Sequence, residues 1–233
     1  MPPLLEVRGL SYDYPDGTPA LRDVSLRLMD GDKMALIGAN GSGKSTLLMH
    51  LAGCFAAQRG EIALRGETAG QNLQALKDAA GLVFQEPDDQ LFMPSVLEDV
   101  AFGLTARNVK TEEAHARARS YLEQLHIQHL ADRPPHRLSS GEKRAVALAG
   151  ILVMDPEVIL LDEPSSALDP RARRNLIDTL NGLGKSMIIA THDLEMASML
   201  CMRAVLLHKG RAAWEGSPMA LLSDNAFLSD HGL

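Results

Sequence analysis

The chain has 233 residues, of which 45% are apolar and 23% are charged, and its formal net charge is −7. This composition is ordinary for a folded globular domain and excludes the disordered and collagen-like classes. The negative charge argues against broad binding to nucleic acid or anionic lipid. The longest apolar run, residues 145–154, is shorter than the roughly 18 residues that a membrane-spanning helix needs, so we expect no direct lipid insertion.

The start of the chain and its cysteines indicate a cytosolic location. The first residues lack the basic start and the apolar stretch of a secretory signal, so export is not expected. Cys54 and Cys201 lie far apart in the sequence and form no CxxC pair. We therefore predict two reduced core cysteines rather than a disulfide or a zinc site.

Short β-rich runs alternate with helical patterns, which predicts an α/β fold with a mostly parallel core sheet. The N-terminal part differs, because Leu4–Leu10 and the alternating apolar residues of Val24–Leu28 indicate strands joined by a turn. We interpret these strands as an antiparallel N-terminal β lobe. A buried strand at Met34–Ile37 precedes a predicted helix at Gly43–Ala52. Further strands are predicted at Ile62–Leu64, Leu82–Phe84, Val158–Leu161, Met187–Ala190 and Val205–Leu207.

Strand patterns vanish between Gln85 and Leu138, and helical patterns replace them. A helix is predicted over Thr111–Ile127, with Thr111 as its N-cap. We predict one domain, residues 1–233, with an inserted helical subdomain at residues 86–145. Residues 1–85 and 146–233 then form the core and the β lobe.

A glycine-rich segment, Gly38–Thr46, lies between a predicted strand and a predicted helix and matches the pattern G-x-x-x-x-G-K-[ST]. Backbone N–H groups of such a loop point at phosphate oxygens, and the helix N-terminus adds partial positive charge. Lys44 is placed to reach the β and γ phosphates, and Ser45 offers a hydroxyl to Mg²⁺. The candidate nucleotide-binding residues of this loop are Gly38, Asn40, Gly41, Ser42, Gly43, Lys44, Ser45 and Thr46.

Two adjacent carboxylates, Asp162 and Glu163, follow the apolar run Val158–Leu161. The carboxyl ends of strands border the ligand crevice in an open α/β sheet. We expect Asp162 to complete the Mg²⁺ site. Glu163 is expected to point the other way, as alternate strand residues do, and to orient or deprotonate the attacking water. Considered without the phosphate loop, the two carboxylates could also be solvated acidic residues at the end of a strand. The presence of the phosphate loop in the same chain favours a catalytic role for them.

The segment Leu138–Lys143 resembles the LSGGQ signature of ABC-type ATPases. Ser166–Asp169 resembles the D-loop of that family, and His192 resembles its switch histidine. Gln85 resembles the Q-loop glutamine, and Tyr14 stands where an aromatic residue usually stacks on adenine. The motifs follow the family's order across nearly the whole chain, so the resemblance implies a P-loop NTPase of the ABC ATPase type that hydrolyses ATP.

The resemblance also implies a role for each motif. The signature of one subunit caps the nucleotide held by a second copy or a close paralogue, so ATP joins two subunits. The candidate residues for this contact are Ser139, Ser140, Gly141, Glu142 and Asp169. His192 is expected to sense the γ-phosphate, and Gln85 to contact Mg²⁺ or the attacking water. Tyr14 is expected to stack on adenine, and Tyr12 is the competing candidate.

Two positions depart from the family pattern. Ser140 stands where the family usually has Gly, which adds a side chain where backbone approaches phosphate. Ala145 stands where the family usually has Arg, while Arg144 lies one position earlier. Neither departure removes Lys44, Asp162 or Glu163, so hydrolysis is expected to be retained.

The stretches Gln85–Phe92 and Ser95–Gly103 are similar to those of energy-coupling-factor (ECF) importers, which take up vitamins, cobalt or nickel. In that family this segment borders the groove that receives a coupling helix of an integral membrane subunit. The resemblance implies a peripheral subunit at the cytoplasmic face of the membrane. The chain ends at Leu233 without the longer extension common in vitamin-specific relatives, which favours cobalt or nickel, and vitamin uptake stays open.

Three other interpretations remain. A soluble ABC ATPase that remodels nucleic acid or ribosomes usually carries two nucleotide domains or a long coiled coil, and neither is evident. A P-loop kinase would share Lys44 and Mg²⁺ but has no use for the signature or His192. A regulatory subunit that binds ATP without turnover is disfavoured by Glu163.

Overall fold

The computed structural model describes residues 2–69 and 73–233, apart from the side chain of Asn225. Strands and helices alternate along these residues and are numbered in chain order. The strands are β1 Leu5–Asp13, β2 Pro19–Leu28, β3 Lys33–Ile37, β4 Arg59–Leu64, β5 Glu67–Thr68, β6 Ala80–Val83, β7 Val158–Asp162, β8 Ser186–Thr191, β9 Arg203–His208 and β10 Arg211–Gly216. The α-helices are α1 Lys44–Leu51, α2 Gln74–Ala79, α3 Val96–Ala106, α4 Thr111–Gln124, α5 Ser140–Leu152, α6 Pro170–Gly182, α7 Leu194–Leu200, α8 Pro218–Leu222 and α9 Asn225–Asp230.

The N-terminal strands form a four-stranded sheet in the order β2-β1-β4-β5. Its pairs are antiparallel, with Leu5 opposite Leu28 and Val7 opposite Leu26. Apolar residues alternate with polar ones along β2, so one face is buried and the other is exposed. The predicted antiparallel lobe is confirmed.

The second sheet has six strands in the order β10-β9-β3-β8-β7-β6. β3 pairs in parallel with β8 and β9, and β7 pairs in parallel with β8. Strands β7 and β8 are buried along their whole length, which requires continuous apolar runs rather than alternation. The mostly parallel core predicted from these runs is confirmed, while β10, an antiparallel edge strand, was not predicted.

The described chain divides into two compact units. The first contains Met1–Leu82, Glu157–Glu163 and Leu183–Leu233, and the second contains Val83–Pro156 and Pro164–Gly182. This grouping keeps α5 whole, whereas the predicted boundary at residue 145 falls inside that helix. Among residues 86–145 the described elements are all helical, as the sequence patterns indicate. The subdomain boundaries of the sequence analysis stay a prediction.

The core of the second unit lies among α3, α4 and α5. Helix α4 buries Ala114, Ala118 and Leu122, which lie four residues apart and share one face. Their small and branched side chains contact apolar residues of the other two helices, including Val100 and Val146. The helical periodicity of α4 therefore reflects burial inside this unit.

The ends of α4 differ from the sequence prediction. Thr111 is not the N-cap; Lys110 occupies that position with ψ of 139° and makes no side-chain cap bond. The helix ends at Gln124 rather than Ile127, because His126 adopts φ of 59°. The N–H groups of His126 and Ile127 return to the carbonyls of Glu123 and Leu122, which closes the helix as a Schellman motif.

The two cysteines have different surroundings. Cys201 is buried, and its burial raises the pKa of the thiol to about 12. Cys54 is exposed, so its assignment to the core is wrong. The reason is local: α1 ends at Leu51, and Gly53 at φ of 70° turns the chain away from the helix axis. Within residues 2–69 and 73–233, no helix has both the length and the apolar character that a bilayer crossing requires.

A pair of glycines tests how tightly β4 approaches β1. Gly60 and Gly31 have nearly equal φ values of 80° and 79°. A Cβ on Gly60 would lie 2.4 Å from the carbonyl oxygen of Gly9, whereas a Cβ on Gly31 would meet no atom of the described residues within 4 Å. We expect Gly60→Ala to lower the free energy of unfolding by about 1–3 kcal/mol more than Gly31→Ala. Urea denaturation followed by circular dichroism measures both; equal losses would contradict the steric explanation.

Candidate functional site

The segment between β3 and α1 is a loop whose glycines are required by close backbone contacts. A Cβ on Gly38 would lie 2.4 Å from the carbonyl oxygen of Leu207. Gly43 has φ of 107°, and a Cβ there would lie 2.8 Å from the carbonyl oxygen of Ala20. Neither position accepts a side chain without a backbone shift. The loop thus keeps its N–H groups next to the start of α1.

Lys44, the first residue of α1, is buried, and its ammonium lies among oxygen atoms. Its Nζ donates to the carbonyls of Gly38 at 2.7 Å and Ala39 at 3.3 Å. It also lies 3.4 Å from Oε1 of Glu163. A phosphate group entering this loop would compete with these oxygens for Lys44. The arrangement therefore provides a positioned cation for an anionic ligand.

Asp162 is the last residue of β7 and is buried close to Ser45. Burial raises the pKa of its carboxyl group, and the nearby charge of Glu163 adds to this, whereas the Ser45 hydrogen bond and Lys44 oppose it. Its Oδ1 atom has no hydrogen-bond partner among the residues that the structure describes. A hydroxyl and a carboxylate are hard oxygen ligands of the kind that Mg²⁺ prefers. Ser45 and Asp162 together fit a magnesium ion.

Glu163 follows β7 and interacts with both Lys44 and His192. Its Oε2 lies 2.8 Å from Nδ1 of His192 and accepts from the His192 backbone N–H at 3.3 Å. The expected alternation of Asp162 and Glu163 is wrong, because Glu163 has φ of 44° and leaves the extended strand conformation. Both carboxylates consequently face the first residues of α1.

The two candidate tyrosines occupy different environments. The Tyr12 ring stacks on Phe55 at 5.4 Å and meets His50 edge-on at 4.6 Å. Tyr14 is exposed by 36%, and its hydroxyl lies 2.7 Å from Oγ1 of Thr46. The Tyr14 ring also meets the Tyr12 ring edge-on at 5.3 Å, but only Tyr14 is exposed, and its Thr46 contact holds it beside the first turn of α1. This difference favours Tyr14 as the adenine platform.

In the second unit, the signature segment begins α5 with a capping box. The Glu142 N–H donates to Oγ of Ser139, and the Ser139 N–H donates back to the Glu142 carboxylate at 2.8 Å. These bonds with Ser139 lower the pKa of the Glu142 carboxyl group. Ser140 is the first residue of α5 and is exposed. The capping box, readable as S-x-x-E in the sequence, was missed by the sequence analysis.

Arg144 lies on α5 and is buried within the second unit. Its Nη2 donates to the carbonyls of Ser166 at 3.0 Å and Gln85 at 3.3 Å. Burial lowers the pKa of its guanidinium group, and the charge of Glu86 opposes this. Arg144 therefore joins the D-loop-like and Q-loop-like segments from a position one residue before Ala145.

Asp169 begins the turn into α6. Its Oδ1 accepts from the backbone N–H groups of Arg171 at 2.8 Å and Ala172 at 2.9 Å. These two bonds lower the pKa of the carboxyl group. The side chain is therefore engaged in starting the helix, and its contact with nucleotide stays a prediction.

The candidate residues fall into two sets, one in each unit. The first unit brings together Tyr14, the loop Gly38–Thr46, Asp162, Glu163 and His192. The second unit contains Gln85, the segment Ser139–Glu142 and Asp169.

Sequence reasoning missed Gly210, which supports the phosphate loop. Its N–H donates to the carbonyl of Ser42 at 3.0 Å, and a Cβ on it would lie 2.6 Å from the carbonyl oxygen of Ala20. The Lys209-Gly210 pair between two strands was the available signal, because glycine is common where a hairpin turn needs positive φ.

Comparison with known proteins identifies the family. The family model described as ABC transporter matches residues 21–166. An ABC transporter ATP-binding protein of Geobacter sulfurreducens is 44% identical over 228 residues, spanning 97% of this chain and 91% of the relative. The cobalt import ATP-binding protein CbiO of Rhodobacter capsulatus is 44% identical over 239 residues, spanning 100% of this chain and 85% of the relative.

Two further proteins extend the comparison. The energy-coupling factor transporter ATP-binding protein EcfA of Methanothermobacter thermautotrophicus is 42% identical over 227 residues, spanning 95% of this chain and 73% of the relative. The structure of CbiO1 from Clostridium perfringens, part of the ABC transporter complex CbiONQ, superposes with a TM-score of 0.84 at 34% identity, covering 99% of this chain and 94% of that one. With its phosphate loop, strand-end carboxylates and signature helix in the expected order, this chain belongs to the ABC transporter family of ATP-binding proteins and is an ATPase.

Proposed function

We propose that this chain is the ATP-hydrolysing subunit of an ECF-type importer that takes up cobalt or nickel ions. The observation that carries this proposal is the 44% identity, over the whole chain, to a protein named for cobalt import. The similarity to CbiO1 of a CbiONQ complex supports the same branch. The transported metal is the cargo of other subunits, and among residues 2–69 and 73–233 no group of three or more His, Cys, Asp or Glu residues could hold a metal ion.

The chemistry proposed for the first unit begins with phosphate binding. The phosphate loop holds the triphosphate, Lys44 neutralises the β and γ phosphates, and Tyr14 stacks on adenine. Glu163, oriented by His192, accepts the proton of the attacking water. Ser45 and Asp162 would hold Mg²⁺, with Gln85 as a further ligand. When bound, Mg²⁺ neutralises phosphate charge that develops during phosphoryl transfer.

We further propose that the nucleotide is held between two copies of the chain, or between this chain and a close paralogue. The start of α5 would supply Ser139, Ser140, Gly141 and Glu142 to the γ-phosphate of the partner's nucleotide, and Asp169 would line the same contact. A helix N-terminus suits this task because its first N–H groups have no intrahelical acceptor. Such a dimer forms when ATP supplies the missing phosphate.

An exposed aromatic pair in the second unit is proposed to contact the membrane subunit at the cytoplasmic face of the membrane. Phe92 is 63% exposed and meets Phe102, 41% exposed, edge-on at 4.9 Å. The buried Asp99 side chain accepts the backbone N–H groups of Phe92 and Met93 at 3.0 and 3.1 Å, which fixes this segment. Exposed apolar pairs held on a rigid backbone are typical of protein interfaces. The pair lies in the stretch that resembles ECF importers.

A vitamin importer is the second candidate. The relative named for the energy-coupling factor transporter is 42% identical to this chain, nearly as similar as the cobalt import relative. The ATPase chemistry is the same in both cases, because cargo recognition lies in other subunits. Only a measurement of which cargo is transported can distinguish a vitamin importer from a cobalt or nickel importer.

Replacing Glu163 by Gln is expected to trap an ATP-bound dimer. The amide cannot accept the proton of water, and it also removes the anion that competes with phosphate for Lys44. We expect turnover to fall at least about 100-fold and ATP affinity to be kept or increased. Phosphate release and size-exclusion chromatography with ATP measure both effects. A variant that stays monomeric with ATP would contradict the proposed dimer.

Replacing Phe92 by Ala is expected to weaken binding to the membrane subunit at least about tenfold, without changing ATP hydrolysis by the isolated chain. Recovery of membrane proteins with the tagged chain from detergent-solubilised membranes provides the measurement. Met202→Ala is the control, because Met202 is 87% exposed but lies in the first unit. Equal recovery with both variants would exclude the aromatic pair from the interface.

Cells that carry only the Glu163→Gln variant are expected to lose accumulation of cobalt or nickel, since the importer cannot complete its ATP cycle. Uptake of radioactive metal ions, compared with cells carrying the unaltered chain, measures this loss. Unchanged metal uptake together with lost vitamin uptake would move the chain to the vitamin branch.

A further inference from the structure

A small polar depression lies in the first unit and is distinct from the phosphate loop. It has a volume of about 210 Å³ and is lined by residues of β1, β2, β4 and β10 and by Gln58, which precedes β4. Its charged residues are Asp13, Arg22, Asp23, Arg59 and Arg211. We call this depression the arginine pocket. Tyr12 also lines the pocket, but the proposed ATPase chemistry uses Tyr14 rather than Tyr12 and none of the other lining residues.

The three arginines of this pocket differ from the other arginines of the first unit. Arg22, Arg59 and Arg211 form no side-chain hydrogen bond or ion pair with any residue in the described parts of the chain. Each of the other four arginines of the unit pairs with at least one carboxylate: Arg8 with Glu6 and Glu61, Arg27 with Glu6, Arg65 with Glu157, and Arg203 with Asp32 and Glu215.

A shortage of acidic residues does not explain the difference. The chain has 30 Asp and Glu residues against 23 Lys and Arg residues. Asp13 and Asp23 even line the same pocket, yet neither lies within ion-pair distance of the three guanidinium groups. The pocket therefore presents three cationic groups from different strands that remain available to an anion.

The chemistry of the lining selects the class of ligand. Guanidinium groups match the oxygens of phosphate in bidentate geometry, which a simple point charge does not. The carboxylates of Asp13 and Asp23 would accept hydrogen bonds from hydroxyl groups beside the phosphate. The volume corresponds to about seven water molecules, which is enough for the phosphate group of a small phosphomonoester. We propose that the arginine pocket binds the phosphate group of a small soluble phosphomonoester.

The wall of the arginine pocket is connected to the phosphate loop through the backbone of Gly210. The N–H of Arg22 donates to the Gly210 carbonyl at 2.7 Å, and the Gly210 N–H donates to the Ser42 carbonyl at 3.0 Å. Gly210 is followed directly by Arg211, and it has no room for a side chain against Ala20. A ligand that contacts both Arg22 and Arg211 is therefore linked through this backbone to Ser42.

This connection predicts that pocket occupancy changes nucleotide affinity, and by linkage that nucleotide changes pocket affinity by the same factor. The coupling rests on the proposed nucleotide site, whereas phosphomonoester binding does not. The two can therefore fail separately.

The test titrates glycerol 3-phosphate into the full chain by calorimetry at constant ionic strength, with the phosphate loop saturated by ADP. We expect one further molecule to bind per chain. Arg59→Gln and Arg211→Gln are expected to weaken this binding about tenfold each, because each removes a charge-assisted contact. Arg27→Gln is the matched control: it removes the same charge from β2, but Arg27 lies outside the pocket and pairs with Glu6.

Two results would overturn the proposal. One is the absence of binding beyond the nucleotide site, and the other is an equal loss in Arg27→Gln, which would indicate general electrostatic attraction. Sedimentation with phosphatidic acid vesicles separates the two sources of a phosphate group: binding to vesicles without binding to glycerol 3-phosphate would contradict a soluble ligand.

A second titration, of ADP with and without glycerol 3-phosphate, tests the coupling. If glycerol 3-phosphate changes the affinity of the unaltered chain for ADP, and this change disappears in Arg59→Gln, the coupling is supported. If glycerol 3-phosphate changes the ADP affinity of neither protein, the coupling is contradicted. Failure of the chain to bind ADP at all would instead contradict the proposed nucleotide site.

Discussion

The arrangement of the first unit depends on one buried cation. Lys44 has two loop carbonyls and Glu163 as neighbours, and both charged side chains are almost fully buried. A buried charge left without its partner costs about 3–5 kcal/mol, so this contact holds the loop against the end of β7. The second oxygen of Glu163 is held by His192. A phosphate offers Lys44 another anionic partner, which releases Glu163 for chemistry while His192 keeps it in place. Nucleotide loading and the state of the proposed base are thus linked through Lys44.

Backbone contacts, rather than side chains, fix the loop that surrounds this cation. Gly38 approaches the carbonyl of Leu207 on β9, and Gly43 approaches that of Ala20 on β2. Gly210 adds a hydrogen bond to Ser42. The support of the loop therefore comes from both sheets of the unit. These contacts hold the loop through the backbone of the chain itself.

Apolar runs and alternation were sufficient to predict most strands of both sheets and the helical stretch, because burial on one or two faces dictates those patterns. The errors arose where the backbone leaves regular conformations. Glu163 and His126 have positive φ, which reverses a side chain in the first case and ends a helix in the second. Cys54 became exposed for the same kind of reason, since Gly53 redirects the chain. The edge strand that follows Gly210 is largely exposed and shows little alternation, so no pattern marked it.

The serine at position 140 leaves the backbone donors of the signature unchanged. The capping box occupies the N–H groups of Ser139 and Glu142, whereas those of Ser140 and Gly141 have no intrahelical acceptor, as at every helix start. The side chain of Ser140 is exposed, so it adds bulk at the surface where α5 starts. Glu142 brings a carboxylate near a proposed phosphate contact, but its charge is engaged by Ser139. If binding at this end relies on backbone N–H groups and the helix dipole, the Gly-to-Ser change costs affinity only where a partner surface approaches closely.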